Sequence, residues 1–223
     1  MNYNIAIDGP AGAGKTTIAE RIAAELDYIY VDTGAMYRAM GYFFIQNQVK
    51  SLEEVSDLES FCSQADITIS YQNGEQQVLL NGENVTSYLR SEEVSRMSSI
   101  VSSHSAVRCK LVELQKKLAE TENVVMNGRD IGTCVLPNAD LKIYLTASSK
   151  TRAQRRYKEL TEKGVPCNIE EIEKEIIARD ERDMNRELSP LRQADDAIRI
   201  DCSDLSIEEV TARILQLFQE VRK

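Results

Sequence analysis

The chain has 223 residues, of which 42% are hydrophobic and 28% charged, as in an ordinary folded protein. Lys and Arg total 27 against 36 Asp and Glu, giving a net charge of −9, which argues against a nucleic-acid polymer as partner. Because no uncharged run reaches the ~18 residues of a membrane helix and a strand pattern starts at once, we expect neither a membrane partner nor a secretory signal.

Strands alternate with helices along most of the chain. Buried strands are predicted at residues 4–8, 28–32, Val124–Met126, Leu141–Leu145 and Ile198–Asp201. Apolar residues at helical spacing predict a helix that ends near Leu26, and a second helix is predicted over 34–48. This order predicts an α/β fold with a five-stranded parallel sheet flanked by helices.

The last predicted helix has a clear start and a clear apolar face. Ser206 and Glu209 have the spacing of a capping box. The apolar face that we expect to be buried consists of Ile207, Val210, Ile214, Leu217, Phe218 and Val221.

Two segments interrupt the alternation. Within 66–90, turn signals at Asn73-Gly74 and Asn81-Gly82 separate short β-type runs, which predicts a small antiparallel meander. We therefore expect a core of 1–57 and 93–223 that carries an insertion over 58–92. Residues of about 148–192 are charged and helical without a clear core face, and we interpret them as a mobile lid.

The cysteines indicate the compartment. There are five of them, widely spaced, and no two form a C-x-x-C pair. With one histidine in the chain, this pattern argues against a zinc site, so we interpret the cysteines as reduced thiols and expect a cytoplasmic protein.

Residues 9–16 carry the strongest motif, because Gly-Pro-Ala-Gly-Ala-Gly-Lys-Thr matches the P-loop pattern G-x-x-x-x-G-K-[ST]. Glycines let the backbone turn several N–H groups toward one anion, and the following helix adds its positive end. Lys15 is placed to reach the β- and γ-phosphates, and the Thr16 hydroxyl to bind Mg²⁺. The motif predicts a nucleoside-triphosphate site without naming the reaction.

Other patterns narrow the reaction class. The sequence has no Asn-Lys pair of the kind that reads guanine in GTPases, and its one Asp-Glu pair, Asp180-Glu181, lies in a charged segment rather than at a strand end. Polar residues follow strands at 32–38 and 128–133, where open α/β sheets bind ligands. Arg179, Arg182 and Arg186 share one helix face. These features favour a small-molecule kinase, and a nucleotide-dependent binding protein remains the alternative from another class.

The chain resembles the bacterial cytidylate kinases nearly from end to end. The similarity lies in the motifs Ile-Asp-Gly-Pro-Ala-Gly-Ala-Gly-Lys at 7–15, Asp-Thr-Gly-Ala-Met-Tyr-Arg at 32–38, Gly-Arg-Asp-Ile-Gly-Thr at 128–133, Asp-Leu-Lys-Ile-Tyr-Leu-Thr-Ala at 140–147, Arg-Asp-Glu-Arg-Asp at 179–183 and Ser-Pro-Leu at 189–191. It departs from that pattern at Asn127, where an acidic residue is frequent, and at Leu136, where Phe is common. A kinase for shikimate, gluconate or dephospho-coenzyme A is the alternative within the same class.

The resemblance implies a P-loop nucleoside-monophosphate kinase that transfers a phosphoryl group from MgATP to CMP or dCMP. It implies that ATP is held by Gly9, Pro10, Ala11, Gly12, Ala13, Gly14, Lys15, Thr16 and Thr17, with Arg155 and Arg156 in the lid. It implies that the acceptor nucleotide contacts Thr33, Tyr37, Arg38, Ser99, Arg108, Arg129, Asp130, Arg179, Asp183 and Arg186.

Within that set, the resemblance implies distinct roles. Arg38 and Arg129 would grip the acceptor phosphate, and Ser99, Arg108 and Asp130 would read the cytosine. The ribose would contact Asp183 and Arg186. The residues expected to act on the transferring group are Lys15, Arg129, Arg182 and Arg186, with Thr16 as the protein ligand of Mg²⁺. We expect a monomer whose ligands are ATP, CMP and dCMP.

Overall fold

The alternating pattern folds into two sheets in the computed structural model, which describes residues 2–72 and 75–222. The strands are β1 (Asn4–Asp8), β2 (Ile29–Asp32), β3 (Ile67–Gln72), β4 (Glu75–Leu80), β5 (Glu83–Asn84), β6 (Val124–Gly128), β7 (Leu141–Thr146) and β8 (Ile198–Asp201). The α-helices are α1 (Lys15–Leu26), α2 (Thr33–Gln46), α3 (Leu58–Ser63), α4 (Glu92–Val101), α5 (Ser105–Thr121), α6 (Ser149–Glu162), α7 (Ile169–Asn185) and α8 (Ile207–Val221).

The main sheet has five strands in the order β2-β6-β1-β7-β8. Strand β1 is central and pairs in parallel with β6 and β7, so that Asp8 lies opposite Gly128 and Tyr144. Strand β8 pairs in parallel with β7. The carboxyl ends of these strands meet at one edge, which is where open α/β sheets place their ligands. The predicted five-stranded parallel sheet is confirmed.

The core against this sheet is formed by α1 and α8. Ile5, Ile22 and Phe218 are fully buried there, and α8 begins with the predicted capping box of Ser206 and Glu209. The predicted apolar face is too wide at its ends, because Ile207 and Val221 are exposed by 41% and 45%. The buried stripe covers the middle of the helix, and the first and last turns extend past the sheet contacts.

The chain divides into two units. The central unit is Val31–Glu120, and the flanking unit is formed by the chain on either side of it. The central unit contains the antiparallel sheet β3-β4-β5, so the predicted meander is confirmed. Its predicted turn at Asn81-Gly82 has two positive φ angles, 52° and 82°. The predicted turn at Asn73-Gly74 lies outside the described residues.

The central unit has its own hydrophobic core. The Phe61 ring packs 4.9 Å from each of the rings of Phe43 and Phe44, measured between centroids. Residues from α2, α4, α5 and the small sheet complete this cluster. The segment 58–92 lies inside this unit, and its assignment as a separate nucleotide-binding insertion stays a prediction.

Helices α6 and α7 account for most of the charged segment 148–192. They pack against each other through few buried side chains, among them Ala153 and Ile172. Over the part of the chain that is described, no helix has the length and apolar character that crossing a membrane requires.

Candidate active site

The P-loop connects β1 to α1, as the motif predicts. Gly9, Gly12 and Gly14 have positive φ angles of 148°, 74° and 91°. At Gly9 a Cβ atom would lie 1.9 Å from the carbonyl oxygen of Leu145 in β7, so no side chain fits at this position. The loop therefore packs directly on the neighbouring strand and turns its backbone toward the carboxyl edge of the sheet.

Lys15 lies buried at the start of α1. Its Nζ donates a hydrogen bond to the Pro10 carbonyl oxygen at 2.7 Å, across the mouth of the loop. Burial lowers the pKa of Lys15 and the positive charge of Arg129 lowers it further, whereas Asp8 opposes this shift. Because cations gather here, an incoming phosphate relieves their mutual repulsion, which favours the binding of a polyanion.

The protein atoms near the P-loop that could bind a cation suit Mg²⁺ better than a cation that needs several protein ligands. The Thr16 side chain is exposed, and its Oγ1 accepts a 3.4 Å hydrogen bond from Asn127 Nδ2. Among the described residues there is no cluster of three His, Cys, Asp or Glu side chains able to hold a metal. A single hydroxyl fits Mg²⁺, which is commonly held by few protein ligands together with substrate phosphates and water.

Arg152 on α6 links three parts of the flanking unit. Its guanidinium donates to the carbonyl oxygens of Ala147 and of Ala11 in the P-loop, both at 2.9 Å, and pairs with Asp180 of α7 at 2.6 Å. Both side chains are at least nine-tenths buried. This cross-link was not predicted from the sequence, because both residues lie in a segment whose composition resembles a solvated helix face.

Arg155 lies against the other side of the P-loop. It donates to the carbonyl oxygen of Ala13 at 3.3 Å and to that of Cys202 at 2.8 Å, and the Cys202 thiol also donates to Ala13. Arg156 points elsewhere and pairs with Glu159 of its own helix at an exposed position. Arg155 and Arg156 are both predicted to bind ATP, and of these two only Arg155 contacts the P-loop in the described part of the chain.

Two ion pairs follow β6. Arg129 Nε lies 2.9 Å from Asp183 Oδ2, and Arg186 Nη2 lies 3.3 Å from Asp130 Oδ1. All four side chains are less than one-fifth exposed. The structure brings these four predicted residues together in two pairs, Arg129 with Asp183 and Arg186 with Asp130. Arg182 is exposed and donates to the Ala178 carbonyl oxygen of its own helix.

A tight turn after α7 sets the direction of Arg186. The Nε of Arg186 donates to the carbonyl oxygen of Ser189 at 2.6 Å, and Leu191 N donates to the Asp183 carbonyl oxygen at 2.8 Å. Ser189 has a φ of 48°, a left-handed conformation that costs a non-glycine residue about 1 kcal/mol. The turn thereby keeps Arg186 beside Asp130.

Asp8, at the end of β1, lies at the site, although no role there was predicted for it from the sequence. Its two carboxylate oxygens accept the backbone N–H groups of Ile131 and Gly132, at 2.8 and 2.7 Å. Burial raises the pKa of Asp8 to about 6, and these two hydrogen bonds oppose the rise. The available signal was an acidic residue at the carboxyl end of a buried strand, next to a P-loop.

In the central unit, Arg38 and Asp32 form an ion pair of 2.7 Å at the start of α2. A Cβ atom on Gly34 would lie 3.0 Å from both Arg38 Nη1 and Asp32 Oδ1, so the absence of a side chain there leaves room for the pair. Gln76 of β4 accepts from the Asp32 backbone N–H at 2.8 Å and donates to its carbonyl oxygen at 3.4 Å. The small sheet thus holds the residue that orients Arg38.

Of the remaining predicted contacts of the acceptor nucleotide, Arg179 lies on α7 in the flanking unit, and the others lie in the central unit. Arg108 is buried, stacks over the Tyr37 ring at 5.6 Å, and donates to the Ser102 carbonyl oxygen at 3.3 Å. Ser99, which lies three residues before Ser102, is half-buried. Thr33 is buried at the first position of α2. Arg108 and Tyr37 form one contacting group there.

Comparison with known proteins identifies the family. The family model described as "Cytidylate kinase" matches residues 5–220. A curated cytidylate kinase from Caldicellulosiruptor bescii is 50% identical over 220 residues, which cover 99% of this chain and 97% of that protein. The chain belongs to the cytidylate kinase family. The prediction of a phosphotransferase of this type is therefore confirmed.

Solved structures support the fold alone. An uncharacterized protein from Eubacterium ventriosum aligns over 99% of both chains, with a TM-score of 0.53 at 14% identity. A gluconokinase from Sinorhizobium meliloti aligns over 98% of this chain and 93% of its own, with a TM-score of 0.52 at 10% identity. At such identities the likeness carries no information about the substrate.

Proposed function

We propose that the chain transfers the γ-phosphoryl group of MgATP to the phosphate of CMP or dCMP, giving ADP and CDP or dCDP. The observation that carries this proposal is the pair of buried arginine–carboxylate contacts after β6, beside the P-loop. Arginines already oriented by carboxylates present planar forks to a phosphate, and a carboxylate released from such a pair becomes an acceptor for an amine.

On the donor side, the backbone of residues 9–17 is proposed to hold the ATP phosphates. Lys15 would leave the Pro10 carbonyl and bind the β- and γ-phosphates, while Arg155 borders the same loop. Thr16 is the proposed protein ligand of Mg²⁺, which, when bound, neutralises charge on the β- and γ-oxygens.

For the acceptor phosphate we propose Arg38, Arg129 and Arg186. Arg129 and Arg38 have carboxylate partners at 2.9 and 2.7 Å, which fix their guanidinium groups before substrate arrives. Such preorganisation lowers the cost of orienting a charged side chain during the reaction. Asp183 and Arg186 are the proposed contacts of the ribose hydroxyls.

Recognition of the base is proposed for Asp130, with Ser99 and Arg108 as further contacts in the central unit. Cytosine carries an exocyclic amine at the position where uracil carries a carbonyl oxygen. A carboxylate accepts from the amine and repels the oxygen, and a buried polar contact of this kind discriminates strongly. Thr33 and Tyr37 are proposed to contact the same nucleotide.

The chemistry proposed is in-line transfer by alignment and charge neutralisation, without a covalent enzyme intermediate. An acceptor phosphate is already largely ionised at neutral pH, so no strong general base is required. Closure of the lid, 148–192, is proposed to bring Arg156, Arg179 and Arg182 to the nucleotides and to exclude water, which prevents ATP hydrolysis.

We further propose a cytoplasmic monomer. The five cysteines are all unpaired, as expected of a protein whose thiols stay reduced. We also propose that residues 1–57 and 93–223 form the kinase core and that residues 58–92 form a nucleotide-binding insertion in it.

The test is ADP formation from MgATP with CMP, dCMP, UMP, AMP, GMP, shikimate, gluconate, dephospho-coenzyme A or no acceptor. Turnover with CMP and dCMP, and little with UMP, is the expected result. Fastest turnover with one of the three non-nucleotide acceptors would identify a different small-molecule kinase. ATP binding without any acceptor-dependent turnover would favour a nucleotide-binding regulatory protein.

Asp130→Ala tests the base contact. We expect CMP binding to weaken by ~2–4 kcal/mol while ATP binding is nearly unchanged. Asp140→Ala, which removes an exposed carboxylate directly before β7, is the matched control. Equal losses for the two nucleotides would mean that Asp130 has a structural role.

A further inference from the structure

Asp130 occupies a position at which an aspartate side chain normally makes a hydrogen bond to the following backbone. It is the N-cap residue of a single π-helical turn, Ile131–Val135, and its carbonyl oxygen accepts from Cys134 N at 2.9 Å and Val135 N at 3.3 Å. An aspartate at an N-cap usually accepts a hydrogen bond from a backbone N–H two or three residues ahead. Within the described residues, the Asp130 carboxylate makes no such capping bond.

The turn is capped by a different carboxylate. Its first two N–H groups, of Ile131 and Gly132, donate separately to the two oxygens of Asp8. These groups have no acceptor inside a helical turn and need one from elsewhere. Asp8 lies more than 120 residues away in the chain, and the parallel register of β1 and β6, which sets Asp8 opposite Gly128, brings it there.

The Asp130 carboxylate contacts Arg186 and does not cap the turn. Its Oδ1 lies 3.3 Å from Arg186 Nη2, and both side chains are at least nine-tenths buried. A carboxylate bent back onto Gly132 N or Thr133 N would use one of its two oxygens on the turn and leave one for all other donors. Capping the turn and serving both Arg186 and a further donor therefore compete for the same two oxygens.

We propose that Asp8 is a positioning residue for substrate recognition: by capping the 131–135 turn, it leaves the carboxylate of Asp130 available to Arg186 and to the cytosine base. This inference rests on the proposed role of Asp130 in reading that base. It requires two acceptor oxygens at position 8, one for each N–H.

Asn at position 8 tests the requirement directly. Asp8→Asn keeps the volume but replaces one acceptor oxygen by an NH₂ group, which cannot accept from a backbone N–H. The matched control is Asp140→Asn, because Asp140 accepts from Asn4 N at 2.7 Å at the opposite end of β1. The control thus makes the same substitution at a carboxylate that accepts one bond from the same strand, which the remaining Asn oxygen can keep, away from the nucleotides.

The measurement is the ratio of kcat/KM for CMP to kcat/KM for UMP, with KM for ATP determined in parallel. We expect Asp8→Asn to lower the ratio by at least about tenfold, toward the value of Asp130→Ala, with KM for ATP changed less than about threefold. Asp140→Asn should keep the wild-type ratio. A wild-type ratio in Asp8→Asn, together with a lowered ratio in Asp130→Ala, would overturn the inference and leave the proposed function intact.

The double variant separates positioning from general loosening of the fold. If Asp8 acts through Asp130, then Asp8→Asn has no further effect on the ratio in the Asp130→Ala background. A further loss in that background would overturn the inference. If Asp130→Ala itself keeps the wild-type ratio, then the base-reading role of Asp130 is wrong, and that failure is visible without any variant at position 8.

A structure of Asp8→Asn gives a readout that does not depend on turnover. We expect an Asp130 carboxylate oxygen at hydrogen-bond distance from Gly132 N or Thr133 N. An Asp130 side chain that makes no such bond in this variant would contradict the competition. Asp8→Ser, which keeps one acceptor in a smaller side chain, serves the same measurements if Asp8→Asn does not fold.

Discussion

The cross-link between Arg152 and Asp180 yields the sharpest stability prediction. Arg152→Met keeps the length of the side chain and removes its charge and all of its donors. The change leaves the Asp180 carboxylate buried without its partner, which costs about 3–5 kcal/mol. It also removes donors from the carbonyl oxygens of Ala147 and Ala11, at about 1 kcal/mol each. We therefore expect the free energy of unfolding to fall by about 5 kcal/mol or more.

A second substitution should restore part of that loss. In Arg152→Met/Asp180→Leu no unpaired charge remains, and buried ion pairs replaced by apolar residues of similar volume are often as stable as before. Only the loss at the two carbonyl oxygens persists, so we expect the double variant to be more stable than Arg152→Met by about 3 kcal/mol or more.

Urea unfolding at pH 7, followed by circular dichroism, measures these differences. Arg156→Met is the control on the same helix, because its partner Glu159 is exposed, and such pairs contribute about 0.5 kcal/mol or less. The reasoning is refuted if Arg152→Met is no less stable than this control, or if adding Asp180→Leu stabilises nothing.

Three other perturbations have defined outcomes. Lys15→Ala should keep the fold and lower kcat by roughly 10²-fold or more, measured as ADP formation, and near-normal turnover would refute its role. Gly34→Ala should raise KM for CMP, with KM for ATP unchanged, because its Cβ would crowd the Arg38–Asp32 pair. The raised pKa of Asp8 predicts a pH effect: its contribution to stability is fully present below pH 4 and is lost as pH rises through about 6. Relative to Asp8→Asn, the wild type should therefore gain about 1 kcal/mol in urea unfolding on going from pH 7 to pH 5, and a constant difference would contradict the shift.

Local patterns predicted the fold well. The P-loop, the alternation of strands and helices, and the Ser206–Glu209 capping box are signals carried by neighbouring residues, and each is confirmed. The boundaries of the apolar face of α8 were wrong at Ile207 and Val221. Helical periodicity gives the direction of a buried face, whereas the extent of the packing partner decides where that face ends.

The supports of the site were not predictable in the same way. Asp8 reaches the turn after β6 through strand pairing, and Arg152 reaches Ala11 over 141 residues of sequence. Such contacts depend on register and on how helices dock, which periodicity does not encode. Charged residues in α6 and α7 also look alike in sequence, although Arg152 is buried and Arg156 is exposed.

The two hydrophobic clusters bear on how this chain is made as well as on how it holds together. One cluster is built entirely from residues 35–111, and the other draws on residues from both ends of the sequence. Within residues 2–72 and 75–222, strand β1 pairs with β6 and β7, at sequence separations above 110 residues. During synthesis from the N-terminus, the central unit therefore has every residue of its core while β1 still has no partner. The P-loop, although it is translated before the central unit, gains its supporting strands only after the central unit is complete.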